Sequence, residues 1–476
     1  MARSFVLGVF QQAVALVPAY ADYLSQQGID AATIHTSTDF KKLPLTSKKT
    51  YLQQYNLEDL VLGGTLHQPL IFCSTSGSTG APYYFPRSEV LSTQYARLLQ
   101  DYLLQTDPGR KKRTLVLLGF GMGVWIGGVI TLRAFEIAAK QLKYPLSILP
   151  VGYNKTELYK ALRQLAPQYD QTIIVGYPPF IKQIVDEAPA EGIDFGLMHI
   201  RLIFAAESFT ETFRDYLCQK TGADPLLDTL NIYGTADIGA MAYETPLSIM
   251  IRRLASKDSE LFASLFGQIQ KTPTLAQYNP RYISFESVND EIVLTGKAVL
   301  PLVRYAVGDN GGTISFARVK HLLKKHGYDV TVEATKAGIE HTLRANPFVF
   351  VYERKNFSVT LHGINIYPEF VKEALLDETI SQIVTGRFTM LTEYDALHNQ
   401  YLAVHVELYK GAKSSAKLKQ YLTEVIRKGL TARSSEFAEI AKNPESNTLL
   451  HVELWPQDDP AYFAPGTKQK WVQAEK

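Results

Sequence analysis

Cysteine is almost absent from this chain. Cys73 and Cys218 are the only two in 476 residues, which excludes a disulfide framework and a Cys-based zinc cluster and leads us to expect a reducing, cytoplasmic setting. Excess charge is also missing. Lys and Arg number 49 against 47 Asp and Glu, and a net charge of +2 argues against nucleic acid as the main partner. No run approaches the ~18 apolar residues of a membrane span. The nearest candidate, Phe5 to Ala21, ends in Ala19-Tyr20-Ala21, which mimics a processing site. However, Gln11 and Gln12 interrupt it and Arg3 is its only basic flank, so it reads as an amphipathic first helix. The ten histidines form no recognisable metal pair; His326 and His362 are the two worth following. The basic run Lys320 to His326 reads as a solvated helix face.

What the chain does hold is length and apolar residues. At 476 residues with 46% hydrophobic content, two domains are expected. The stretch that organises them is Ser74-Thr75-Ser76-Gly77-Ser78-Thr79-Gly80-Ala81-Pro82. Strand-like runs flank it, Pro69 to Cys73 and Tyr83 to Pro86, and a helix pattern starts at Glu89. Glycines let backbone N–H groups turn inward and hydroxyls add donors, a combination suited to a polyphosphate. It is not a Walker A loop, because that spacing and its lysine are missing. Strand and helix patterns then alternate: Arg113–Leu118, Leu146–Val151, Thr172–Val175 and Leu202–Ala205 as strands, with helices between. Such alternation predicts parallel strands covered by helices, with ligands at the strands' carboxyl ends. The Gly-rich segment 119–128 lacks the dinucleotide-binding offsets. Residues 245–280 read as packed helix, 316–325 as helix and Val330–Glu333 as a strand.

The loop resembles the phosphate loop of the adenylate-forming superfamily, T-S-G-S/T-T-G-x-P. Within that superfamily the chain resembles the phenylacetate–coenzyme A ligases and coenzyme F-390 synthetase-like proteins. Other motifs follow in that family's order. Tyr233-Gly234-Thr235-Ala236-Asp237 resembles Y-G-x-S/T-E, with Ala236 and Asp237 as departures. Pro301 to Asp309 resembles P-L-I/V-R-Y-R-x-G/R-D, with Ala306 in place of an arginine. Arg354, Gly363, Asn365 and Pro368 match the hinge and following loop, where Asn356 replaces an aspartate. Pro465 to Val472 resembles the terminal G-K-x-x-R-V, with Thr467 in place of the glycine.

The resemblance implies an α/β fold: a large domain over 1–352 of helix-covered, mostly parallel sheets, and a small mobile α+β domain over 353–476. It implies an AMP-forming ligase that activates a carboxylic acid, aryl or acyl, with Mg-ATP and passes it to the thiol of coenzyme A. Thr75, Ser76, Gly77, Ser78, Thr79 and Gly80 would wrap phosphates, with Ala206, Glu207, Tyr233 and Gly234 also at the nucleotide. Thr235 would reach the α-phosphate, Asp237 would hold Mg²⁺ and Asp309 the ribose. Lys468 stands at the catalytic lysine, with Lys470 as rival, and Arg354 joins the catalytic set. Gly363 would admit the pantetheine arm, and Trp125, Ile126, Gly127 and Tyr177 would border the acid. Relatives are often dimers, so a homodimer is one expected assembly. A carrier-protein thiol is the alternative acceptor, and a non-catalytic nucleotide-binding homologue is the other class. No cysteine follows Cys218, which disfavours a covalent acyl-enzyme.

Overall fold

The computed structural model describes residues 2–74, 83–106, 111–123, 126–267, 272–352, 358–361, 364–394, 400–434, 437–438, 441, 449–465 and 469–473. Residues 75–82, Trp125, Arg354, Asn356, His362, Gly363 and Lys468, all singled out above, lie outside them.

Three helices open the chain: α1 (Ala2–Leu16), α2 (Pro18–Gln26) and α3 (Ser37–Phe40). Pro18 sits in the first turn of α2, where its missing N–H costs nothing, and the chain bends there by 98°. Together the pair is long and apolar enough for a broken membrane span, but among the described residues no single helix is. Val6, Val9, Phe10 and Ala13 are buried in a core shared with Ile292, Leu294 and Val303. That is the amphipathic packing expected of this helix.

The hairpin β1 (Ile71–Ser74) and β2 (Tyr84–Arg87) flanks the loop and leads into α4 (Glu89–Gln105). Next come β3 (Thr114–Leu118), α5 (Ile126–Leu142), β4 (Leu146–Leu149), α6 (Lys155–Gln164), β5 (Gln171–Gly176), α7 (Pro178–Glu187), β6 (Ile200–Ala205), α8 (Glu211–Thr221) and β7 (Thr229–Thr235). Strands β4-β3-β5-β6-β7 pair in parallel, as their near-continuous apolar character dictates.

Beyond β7 the pairing turns antiparallel. β8 (Gly239–Tyr243), α9 (Pro246–Ala255), α10 (Ser259–Phe266), β9 (Thr274–Gln277), β10 (Ile283–Val288), β11 (Glu291–Gly296), β12 (Leu302–Ile314), α11 (Phe316–Lys325), α12 (Val330–Lys336) and β13 (Phe348–Val351) complete an 11-stranded sheet, ordered β10-β11-β12-β13-β9-β8-β7-β6-β5-β3-β4. The large domain is thus a helix-covered α/β sheet whose parallel pairing is confined to one half. Strand β12 bridges the antiparallel part, pairing β11 early and β13 through 311–314. Gly311 makes this crossing feasible: at φ +157° its Cβ would stand 2.0 Å from the Phe350 carbonyl oxygen.

Two local expectations fail. The Val330–Glu333 strand is helix α12, because Asp329 accepts from the N–H groups of Thr331 and Val332 at 2.9 and 3.2 Å. A good N-cap outweighs the β-propensity of Val330 and Val332. Within 245–280 the packed helix is found as α9 and α10, both capped, but Thr274–Gln277 is β9, an interior strand between β13 and β8.

The C-terminal part holds β14 (Val359–Leu361), β15 (Ile364–Ile366), α13 (Pro368–Ala374), β16 (Val384–Tyr394), β17 (Gln400–Leu408), α14 (Ala416–Arg433) and β18 (Leu450–Trp455). Its separate three-stranded sheet, β16-β17-β18, carries its own core of Leu402, Val404, Val406, Leu422, Ile426 and Leu430.

Candidate active site

The motif residues of the large sheet meet where β7 ends. Gly234 cannot be larger there, since a Cβ would lie 2.7 Å from the Gly239 carbonyl oxygen as the chain turns into β8. Tyr233, on β7, donates its phenolic proton to Asp309 Oδ2 on β12 at 2.9 Å. Residues 76 positions apart are thereby joined by the antiparallel half of the sheet. Four residues before Asp309, buried Tyr305 donates to Asp237 Oδ1 at 2.6 Å, a charge-assisted bond that fixes this half-buried carboxylate. Burial first, then the Asp237 charge, pushes the Tyr83 phenol up to about 12. Thr235 Oγ1 is buried at the same turn with no hydrogen-bond partner. A buried hydroxyl without a partner is unusual. Arg87, from β2, reaches beneath the turn and donates through Nη2 to the Ala236 carbonyl.

The neighbouring strand end carries Ala206 and Glu207. Ala206 adopts φ +73°, a left-handed conformation that costs an alanine on the order of 1–2 kcal/mol and is a feature of strained functional loops. The Glu207 carboxylate engages the C-terminal part. Its Oε2 accepts from Trp471 Nε1 at 2.9 Å and pairs with Lys372 Nζ at 3.5 Å, while Lys372 lies 4.1 Å above the Trp471 ring. Ser208 Oγ donates to Glu369 at 3.3 Å nearby. These residues line a small cleft between α7 and α8 on one side and α13 and Trp471 on the other. The segment bearing Trp471 extends the small sheet: Met390 N–H donates to the Trp471 carbonyl at 2.8 Å, and Gln469 Nε2 donates to the Phe388 carbonyl at 2.9 Å. Lys470, the rival lysine, is exposed.

The predicted acid-binding residues divide. Tyr177 caps the start of α7, with its ring 5.0 Å from Phe120 and 6.0 Å from Tyr153. Gly127 is a packing residue, since a Cβ there would press on the Phe120 ring at 3.1 Å. Ile126 opens α5 against the same core. Cys73 is buried, and burial pushes the Cys218 thiol up to about 12, so neither sits as a reactive nucleophile. Among the described residues no group of three His, Cys, Asp or Glu side chains is arranged for a metal ion.

Sequence reasoning missed Arg87, Tyr305 and Trp471. Each had a faint signal: Arg87 is a cation ending an aromatic strand, Tyr305 sits inside the Pro301–Asp309 motif, and Trp471 follows Lys468 by three residues.

No protein-family model and no curated protein sequence matches the chain. Solved structures do. A 2-hydroxyisobutyryl-CoA ligase in its postadenylation state, in complex with R3-HIB-AMP, aligns with 99% of this chain and 89% of its own at TM-score 0.65 and 15% identity. The same ligase in its thioesterification state, in complex with 2-HIB-AMP and CoA, aligns over the same shares at TM-score 0.53 and 16% identity. An anthranilate CoA ligase in complex with anthranoyl-AMP covers 83% of this chain and 66% of its own at TM-score 0.49 and 12% identity. The fold of this chain is therefore like that of the 2-hydroxyisobutyryl-CoA ligase, a large helix-covered sheet followed by a smaller separate one.

Proposed function

We propose that this chain is an AMP-forming acid–thiol ligase of the phenylacetate–coenzyme A ligase kind, with a large domain over 1–352 and a mobile small domain over 353–476. The observation that carries the reading is the turn after β7, where the unpartnered Thr235 hydroxyl, the fixed Asp237 carboxylate and the Tyr233–Asp309 pair converge. That convergence supports a nucleotide at the strand ends. Asp309, an acceptor-only group, would take ribose hydroxyls, and the Tyr233 ring would lie by the adenine. Thr235 would donate to the α-phosphate. An acid's carboxylate attacks that phosphorus, pyrophosphate leaves, and the acyl-adenylate remains; a thiol then displaces AMP. Carboxylate and triphosphate repel each other, so donors must be in place before charge accumulates. Residues 75–80 and Lys468 are assigned to that task, with Arg354 as the hinge arginine and Gly363 at the thiol's arm. Asp237 suits Mg²⁺: one hard carboxylate oxygen beyond the one held by Tyr305 fits an ion that keeps waters and phosphate oxygens as its other ligands. Mg²⁺ bound there would offset phosphate charge. The Phe120, Tyr153 and Tyr177 rings favour an acid with an apolar tail.

The test is carboxylate-dependent ATP–pyrophosphate exchange across aryl-acetic, benzoic, medium-chain and long-chain acids, followed by AMP release with and without coenzyme A. Exchange with one acid class, and AMP release only with coenzyme A, is the expected result. Exchange without coenzyme A turnover would reassign the acceptor to a carrier-protein thiol. Silence with every acid, together with no calorimetric ATP binding, would overturn the reading.

A further inference from the structure

Six Lys and Arg side chains are buried among the described residues: Arg87, Lys182, Arg201, Arg214, Arg252 and Arg304. Five have a carboxylate at ion-pair distance. Lys182 meets Asp186 at 2.7 Å, Arg201 meets Asp228 at 3.1 Å, Arg214 meets Glu244 at 2.7 Å, Arg252 meets Glu211 at 3.2 Å and Arg304 meets Glu286 at 2.8 Å. Arg87, only 2% exposed, has no carboxylate at ion-pair distance among the described residues; the Asp237 charge and the Cys73 side chain act on it from nearby. Its Nη2 donates to the Ala236 carbonyl, and its buried Nε and Nη1 have no hydrogen-bond partner. A buried guanidinium matched this incompletely is costly, and a further anion would stabilise it.

Its position identifies the anion. Arg87 ends the strand that follows residues 75–82, and its guanidinium lies under the turn that carries Thr235 and Asp237. The turn is built to admit it: a Cβ on Gly239, whose φ is +99°, would stand 3.2 Å from Arg87 Nη1. Thr235 Oγ1 lacks its partner at the same turn.

Resting on the reading of a nucleotide site above, we propose that Arg87 is a positioning residue for the polyphosphate. It sets the 235–237 turn through the Ala236 carbonyl, and its incompletely matched charge is met when the phosphates arrive. A purely structural arginine would support every ligand of the site equally. One matched by phosphate charge would discriminate by ligand charge.

The experiment is calorimetric titration of the full chain with adenosine, AMP and ATP, for wild type, Arg87→Met and Arg87→Lys, with thermal unfolding as the folding control. Arg87→Met is expected to weaken ATP roughly 10- to 100-fold, AMP less, and adenosine by under about 2-fold. Arg87→Lys, which keeps the charge, is expected to recover most of the ATP affinity and leave adenosine unchanged. Equal weakening of all three ligands, or of none, in a wild type that binds ATP would overturn this proposal and leave the nucleotide site standing. A wild type that binds neither ATP nor AMP would instead overturn the nucleotide site itself. If Arg87→Met does not fold, Arg87→Lys decides alone: a loss shared equally by adenosine and ATP refutes the proposal.

Discussion

Trp471→Phe removes one atom pair that joins the two parts of the molecule. Trp471 Nε1 donates to Glu207 Oε2 at 2.9 Å, and both side chains are buried. A hydrogen bond to a charged acceptor contributes about 1.5–3 kcal/mol. Lys372 remains 3.5 Å from the same oxygen and keeps the charge paired, which places the loss in the lower half of that range. The Lys372 ammonium, 4.1 Å from the ring, also interacts less well with phenyl than with indole, adding about 0.5–1 kcal/mol. The docked arrangement is thus weakened by about 2–3 kcal/mol, or roughly 30- to 150-fold. If docking places the segment before Trp471 for adenylation, ATP–pyrophosphate exchange should fall by that factor wherever docking limits its rate. Thioester formation from supplied acyl-adenylate should stay within about 3-fold, since the small domain would have left this contact. A double-mutant cycle with Glu207→Gln should return a coupling above about 1 kcal/mol. Equal loss in both half-reactions, or additive single mutants, would refute the reasoning.

Tyr305→Phe leaves Asp237 without its 2.6 Å donor, and the Mg²⁺ concentration for half-maximal exchange should rise about 10-fold with little change in melting temperature. Thr235→Val keeps shape and removes the unpartnered hydroxyl, so kcat of exchange should fall on the order of 10-fold or more while stability holds or rises. Asp309→Asn should raise the KM for ATP more than it lowers kcat, because the ribose is held alike before and during reaction. Burial raises the Asp228 pKa, but the His199 hydrogen bond and the Arg201 charge outweigh it and hold the carboxyl below its usual range. Its contribution to stability is full above the ordinary carboxylate range and lost as pH falls through the depressed value. Acid unfolding curves of Asp228→Asn should therefore be flatter across that window than wild type.

Much of the fold was legible from local pattern. The apolar runs read at Arg113–Leu118, Thr172–Val175 and Leu202–Ala205 announced the buried parallel strands found at Thr114–Leu118, Gln171–Gly176 and Ile200–Ala205, and the helices between them are bounded by caps such as Asn154 and Thr210. Strands β9, β10 and β13 were not, because four to six residues within mixed sequence carry too little periodicity and acquire their state from sheet neighbours. The Val330 segment misled for the opposite reason, since its β-branched residues spoke louder than the cap at Asp329.

The site divides along the same line. Sequence by itself named and ordered the proposed groups, the loop at 74–82, Tyr233, Asp237, Asp309 and Lys468, each within a short motif whose chemistry is local; of these, 75–82 and Lys468 lie outside the described residues. Tertiary structure alone decided their partners. Tyr305 holding Asp237, Trp471 and Lys372 holding Glu207, and Arg87 donating to the Ala236 carbonyl are contacts between elements 68 to 264 residues apart. Spacing along a chain sets which face a side chain takes, but burial and charge pairing depend on what the sheet folds against that face, and that is a property of the whole sheet.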